Sequence, residues 1–198
     1  MLNAKIRQGW DALVRPAARV AGRVVTPNAV TLTGVAVTAV AAYLVTEGRL
    51  LVAAIVGGVG GLLDALDGAV ARAAGRSSRF GALLDSTTDR LSDALVFASV
   101  AWLYGVAPDG PGHDAPWVAG LALATLALSF LVSYVKARAE GLGFECNVGL
   151  IERAERLIIV WLAIGLDVVP PVLILLAVLS AVTLVQRLWH VRRQADAA

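Results

Sequence analysis

Six apolar blocks, parted by short polar breaks, run the length of this 198-residue chain and constrain its fold more than any single residue does. Hydrophobic residues make up 58% of the sequence and charged residues 16%, with a mean hydropathy of +0.75. A soluble domain is apolar over only about 45–50% of its length. In hydrocarbon each backbone N–H and C=O must be satisfied inside the protein, which a helix does with bonds within its own segment. The blocks therefore predict an all-α integral membrane bundle with six transmembrane helices. The spans are expected at about Val30 to Val45, Leu50 to Leu63 continuing polar to near Ala73, Phe80 to Tyr104, Trp117 to Ala139, Val148 to Val168 and Val172 to Trp189.

The breaks have turn chemistry. Thr26-Pro27-Asn28 is suited to opening a helix, Glu47-Gly48-Arg49 to a tight turn, and residues 105–116 to a loop rich in Gly, Pro and Asp. Pro170-Pro171 is read as the turn into the last span. Ahead of the bundle, residues 1–25 place Ile6, Trp10, Leu13 and Val14 at helical spacing among basic residues. This is the pattern of an amphipathic helix lying on an anionic membrane surface, with Pro16 as a kink. Its charges leave no apolar stretch for a cleavable signal peptide. The domains expected are thus a surface helix over 1–25 and a membrane domain over 26–198.

Charge distribution orients the bundle. Six spans put both termini on one side, and fifteen of the seventeen Lys and Arg residues fall on that side or at its boundary. Arg49 sits in an opposite loop and Arg90 inside the third span. The positive-inside rule then puts both termini, and the polar end of the second and third spans, in the cytoplasm of a cell with a plasma membrane as its site. The net charge of +2 gives no reason to expect nucleic acid. A single cysteine, Cys146, excludes an internal disulfide or a cysteine metal cluster, and His113 and His190 stand too far apart to suggest a zinc site.

Four aspartates break the second and third blocks. Asp64 and Asp67 are spaced i, i+3, and Asp85 and Asp89 i, i+4, so each pair shares a helix face. A carboxylate at the centre of a membrane helix costs about 2.5–3.5 kcal/mol on insertion scales. Clustered carboxylates also repel unless protonated or bound to cations. The alternative, solvated carboxylates paired with nearby arginines, is weaker. Helices joined by the short loop after Gly75 should be antiparallel neighbours with their carboxylates facing. Such oxygen donors suit Mg²⁺ or Mn²⁺, and four carboxylates balance two divalent ions, as in a two-metal site that clamps a phosphate. Gly68 leaves room beside Asp67, and Arg72 offers a charge-assisted contact to phosphate. Gly57, Gly58, Gly60 and Gly61 permit close helix packing. A cation transporter with aspartates along its path is the other class of reading. Transport calls for carboxylates near the midplane, whereas these lie toward one face.

The aspartates stand in the pattern Asp64-x-x-Asp67-Gly68-x-x-Ala71-Arg72, eight residues, then Gly81-x-x-x-Asp85-x-x-x-Asp89. The pattern resembles, at each fixed position, the signature of the CDP-alcohol phosphotransferases, a family with six membrane helices and an N-terminal surface helix. The resemblance implies transfer of a substituted phosphate from a CDP-linked lipid to an alcohol, with release of CMP. It implies Asp64, Asp67, Asp85 and Asp89 as metal ligands and Asp89 also as the base toward the acceptor hydroxyl. It implies Gly68, Arg72 and Ser78 at the CDP moiety, helped by Pro27-Asn28-Ala29-Val30-Thr31. It also implies a homodimer. Asp93 extends the i+4 series but lies outside the signature, and no ligand role is expected of it.

The acceptor is written elsewhere. Lys136, Arg138, Arg153 and Arg156 suit a phosphate-bearing acceptor, or equally serve as topology anchors. The segments Ser133-Tyr-Val-Lys-Ala-Arg-Ala-Glu140 and Gly149-Leu-Ile-Glu-Arg-Ala-Glu-Arg156 are similar to those of actinobacterial family members that make phosphatidylinositol phosphate from CDP-diacylglycerol and inositol 1-phosphate. A relative that uses glycerol 3-phosphate, giving phosphatidylglycerophosphate, is the second choice. Ala154 departs from the proline expected there.

Overall fold

The computed structural model describes residues 26–73, 78–107, 110 and 115–196, with the backbone alone for Pro27 and for residues 65–73. The surface helix expected over 1–25 lies outside the described residues, as does His113. Six helices follow in order: α1 (Pro27–Thr46), α2 (Leu50–Ala73), α3 (Arg79–Gly105), α4 (Trp117–Gly141), α5 (Arg153–Gly165) and α6 (Val169–Ala195). The described residues are otherwise turn and loop, with no strand.

Local chemistry sets the helix starts. Thr26 caps α1, its hydroxyl accepting from the Ala29 N–H, with proline in the first turn. Ser78 caps α3 in the same way, accepting from Gly81 N–H at 2.9 Å. The Glu155 carboxylate accepts from the Glu152 N–H at 3.0 Å at the mouth of α5.

α1 packs against both α2 and α3, α3 against α4, α4 against α6, and α5 between α2 and α6. Among the described residues, α2 and α3 thus share α1 as their main partner, and their carboxylates face one another as expected. The apolar core gathers at one end of the bundle. It comprises Val45 of α1, Ala53 of α2, Val96 to Leu103 of α3, Val118 and Ala122 of α4, Val160 and Ile164 of α5, and Leu173 and Leu176 of α6. In antiparallel helices this leaves the late turns of α2, α4 and α6 and the early turns of α3 and α5 at the other end. The polar residues collect there.

Among the described residues, three helices are long and apolar enough to cross a membrane: Asn28–Thr46, Trp117–Gly141 and Val169–Ala195. The other three fall short for stated reasons. The apolar part of α2 stops at Asp64. α3 carries Asp85, Asp89, Arg90 and Asp93. α5 has 13 residues, about 20 Å at 1.5 Å per residue, against a hydrocarbon layer of about 30 Å. Large apolar side chains such as Tyr43, Leu51, Ile55, Leu123 and Val185 face outward, as lipid contact requires. This is an integral membrane protein.

Two sequence readings need correction. The fifth helix does not begin at Val148 but at Arg153. The intervening segment is irregular, with a bend at Leu150, and is held by α6, where Arg187 donates to Val148 O at 3.0 Å and also to Val132 O of α4 at 2.6 Å. Thr183 Oγ1 accepts from the Leu150 and Ile151 N–H groups, and Gln194 exchanges two bonds with the Glu145 backbone. Gly149 takes φ +147 in this segment, and a Cβ there would lie 2.7 Å from Thr183 Cγ2. Pro170 and Pro171 do not make the last turn either. They lie in the first turn of α6, where a missing N–H is harmless, and the chain reverses at Asp167, φ 55.

Of the clustered glycines, Gly57 and Gly60 do the packing, a Cβ on Gly60 falling 2.9 Å from Thr38 Oγ1 of α1. A Cβ on Gly57 would fall 2.3–2.5 Å from the ring of Trp161, so the indole of α5 lies directly on the α2 backbone. Gly58 and Gly61 have open space instead.

Candidate active site

At the polar end, α2 supplies Asp64 and α3 supplies Asp85 and Asp89. One oxygen from each lies within 4.8 Å of the others. The i, i+4 spacing on α3 stacks its pair on one face, and the close seat of α1 against both helices brings α2 alongside. Asp67, Gly68 and Arg72 are carried on α2 within residues 65–73, so their side chains lie outside the described residues.

A guanidinium stands among these oxygens. Arg153, at the first turn of α5, puts Nη1 2.7 Å from Asp64 Oδ2 and 2.5 Å from Asp89 Oδ1. Its Nε donates to Asp93 Oδ1 at 3.3 Å. Arg90 Nη1 lies 3.5 Å from the second Asp89 oxygen. Behind them Asp93 is fully buried, with Oδ2 accepting from Arg156 Nη2 at 2.8 Å and from Ser129 Oγ at 2.5 Å. One carboxylate thereby ties α3, α4 and α5 together. Arg156 is 1% exposed, so it belongs to this interior cluster.

The donor set fits a divalent cation. Three carboxylates from two helices converge on a point already favoured by positive charge, since the Arg153 guanidinium sits there, and all their donors are hard oxygens. The side chains of Asp64, Asp89 and Arg153 are 24%, 19% and 17% exposed, so the point is reachable from outside the bundle.

The residues expected around CDP come together in part. Asn28 stands in the first turn of α1, followed by Ala29, Val30 and the buried Thr31. A Cβ built on Gly81 would be 3.6 Å from Asn28 Oδ1 and 3.1 Å from Ser78 Oγ, so the starts of α1 and α3 face one another with little between them. Ser78 spends its oxygen on the α3 cap. Lys136 and Arg138 lie in the last turns of α4, Lys136 at 3.8 Å from Glu140 and Arg138 exposed. Asp93 is the residue that sequence reasoning set aside. Its one signal was a carboxylate continuing the Asp85, Asp89 register into an apolar run. Ser129 and Arg156, its partners, are 36 and 63 positions away.

A helical membrane protein with a carboxylate cluster at one end of the bundle is the class defined by this geometry, and comparison with known proteins makes it specific. The CDP-alcohol phosphatidyltransferase family profile matches residues 24–191, and the chain belongs to that family. It is therefore a transferase, which decides against the transport reading. Phosphatidylinositol phosphate synthase of Mycolicibacterium smegmatis is 41% identical over 197 residues, covering 94% of this chain and 86% of the relative. The Mycobacterium tuberculosis phosphatidylinositol phosphate synthase with CDP-diacylglycerol bound superposes with a TM-score of 0.81 at 39% identity, covering 91% of this chain and 94% of that one. The same enzyme in complex with manganese and citrate gives 0.78 at 39% identity, over 90% and 88%.

Proposed function

We propose that this protein is a phosphatidylinositol phosphate synthase, transferring the phosphatidyl group of CDP-diacylglycerol to inositol 1-phosphate (1D-myo-inositol 3-phosphate in the other numbering) with release of CMP. The observation that carries this is the joining of the Asp64–Asp85–Asp89 cluster to Arg153, a cation on the helix expected to face the acceptor. Relatives of that name, matched over nearly their whole length, support the choice of acceptor.

Asp64, Asp67, Asp85 and Asp89 are the residues to hold Mg²⁺ or Mn²⁺, two ions in all. When bound, the ions neutralise charge on the pyrophosphate and so favour departure of CMP. The chain's own residues do the rest. The starts of α1 and α3, with Pro27 to Thr31, Gly68, Arg72 and Ser78, seat the CDP group. Lys136, Arg138, Arg153 and Arg156 supply the positive field for the acceptor's phosphate, Arg156 from behind through Asp93. The acceptor hydroxyl attacks the lipid-bearing phosphorus, the bond to CMP breaks, and Asp89 takes the hydroxyl proton.

In the membrane we propose six crossings, that of α5 made together with the non-helical segment leading into it, the polar ends of α2, α3 and α5 lying toward the headgroups. The site and both termini are cytoplasmic, residues 1–25 lie along the surface, and the protein works as a homodimer. Cysteine labelling on either side of Glu47 tests the orientation, and light scattering in detergent tests the dimer. The deciding experiment is CMP release from CDP-diacylglycerol by purified protein with inositol 1-phosphate, inositol, glycerol 3-phosphate or serine. Release with inositol 1-phosphate alone is expected, and preferential use of glycerol 3-phosphate overturns the assignment.

A further inference from the structure

The position of Arg153 is unusual for a residue meant to meet an anion. Its Nη1 is shared between Asp64 Oδ2 and Asp89 Oδ1, on two of the carboxylates that the metal reading assigns to a cation. A divalent ion binds such oxygens at about 2.0–2.2 Å. A guanidinium nitrogen 2.5–2.7 Å from the same atoms occupies that place, and its charge repels the ion besides. The two cannot share the cluster.

The other edge of the guanidinium has a different kind of partner. Nε bonds Asp93 Oδ1, and Asp93 is immobilised by Ser129 and Arg156 through its second oxygen in a fully buried position. Arg153 is therefore held at one edge by a fixed, interior carboxylate and at the other by two carboxylates open to solvent. Losing the second pair leaves the first in place.

We propose that Arg153 is the resident counter-cation of the carboxylate cluster. A divalent ion displaces it, and it turns about its bond to Asp93 to present the freed Nη edge to an incoming phosphate. The inference rests on the metal reading above and adds an order to it: the anion site becomes available when the metal site is filled. It also gives the cluster a stable arrangement between turnovers, since carboxylates so close repel when no cation sits among them.

The test is a Mn²⁺ titration of the purified, full-length protein in detergent without CDP-lipid, with free Mn²⁺ read by electron paramagnetic resonance. R153Q removes the competing charge and is expected to bind Mn²⁺ about tenfold more tightly than wild type. Affinity equal to or weaker than wild type overturns the proposal. D64N provides the separate control. If it binds Mn²⁺ as wild type does, the metal reading itself fails, whatever Arg153 does. A second measurement needs no variant. Phenylglyoxal labelling of Arg153 in wild-type protein, mapped by mass spectrometry, is expected to rise when Mn²⁺ saturates the site. Labelling unchanged or reduced by Mn²⁺ means that the guanidinium stays where it is, and the proposal falls.

Discussion

Replacing Asp93 by asparagine keeps the shape of the side chain and removes the charge on which Ser129, Arg153 and Arg156 converge. Arg156 is then left 1% exposed with no counter-ion on its Nη2, and its Nε already lacks a partner. Breaking a buried ion pair on one side costs about 3–5 kcal/mol, because the remaining charge is neither solvated nor paired. For a chain of this size each kcal/mol is worth about 2–4 °C, so D93N is expected to melt about 6–20 °C lower in detergent. Stability alone does not distinguish a pair from a generally fragile site, so the assay is a double-mutant cycle with R156M, followed by intrinsic fluorescence during heating. Since each partner suffers from the loss of the other, the double variant should be more stable than the sum of the single losses by at least about 1 kcal/mol. Additive losses, or a D93N melting temperature within about 2 °C of wild type, would show that Asp93 and Arg156 do not hold one another in the native protein.

Three further outcomes are expected. D89N should lower CMP release by at least about a hundredfold while CDP-diacylglycerol still binds, the typical loss when a general base is removed; equal loss of binding and turnover would make Asp89 chiefly a metal ligand. G57A puts a methyl group 2.3–2.5 Å from the Trp161 ring and should destabilise by about 1–3 kcal/mol, with W161L relieving much of it in the double variant. R187Q should loosen the segment before α5 and raise the KM for the acceptor more than that for CDP-diacylglycerol, since Arg187 holds Val148 and Val132 and makes no bond to the aspartate cluster.

What the sequence discloses and what it conceals divide along the range of the interactions. The helix start at Pro27 is legible because Thr26 acts within a turn of itself, and those at Arg79 and Trp117 because a polar or a Gly- and Pro-rich break ends just before each. The convergence of Asp64, Asp85 and Asp89 is legible because helical period stacks one pair and a membrane bundle penalises an isolated carboxylate. The start of α5 is not. Val148 to Ile151 is apolar enough to continue a helix, and Arg187 and Thr183, more than thirty residues on, help hold it in a non-helical course. Asp93 is hidden for the same reason, each of its partners being on another helix. The reading of Pro170-Pro171 as a turn fails on a local ambiguity, because proline suits a first helical turn as well as a chain reversal.

The last helix is longer than the layer it crosses. Its 27 residues extend about 40 Å at 1.5 Å per residue, against hydrocarbon of about 30 Å. Gln194, which exchanges two bonds with the Glu145 backbone, stands about 38 Å from the start of α6, beyond what one hydrocarbon layer takes up. α6 is thus a mast stepped in the bilayer, with the segment before α5 rigged to its end. The length of one helix couples the membrane span to the non-helical segment that leads to Arg153.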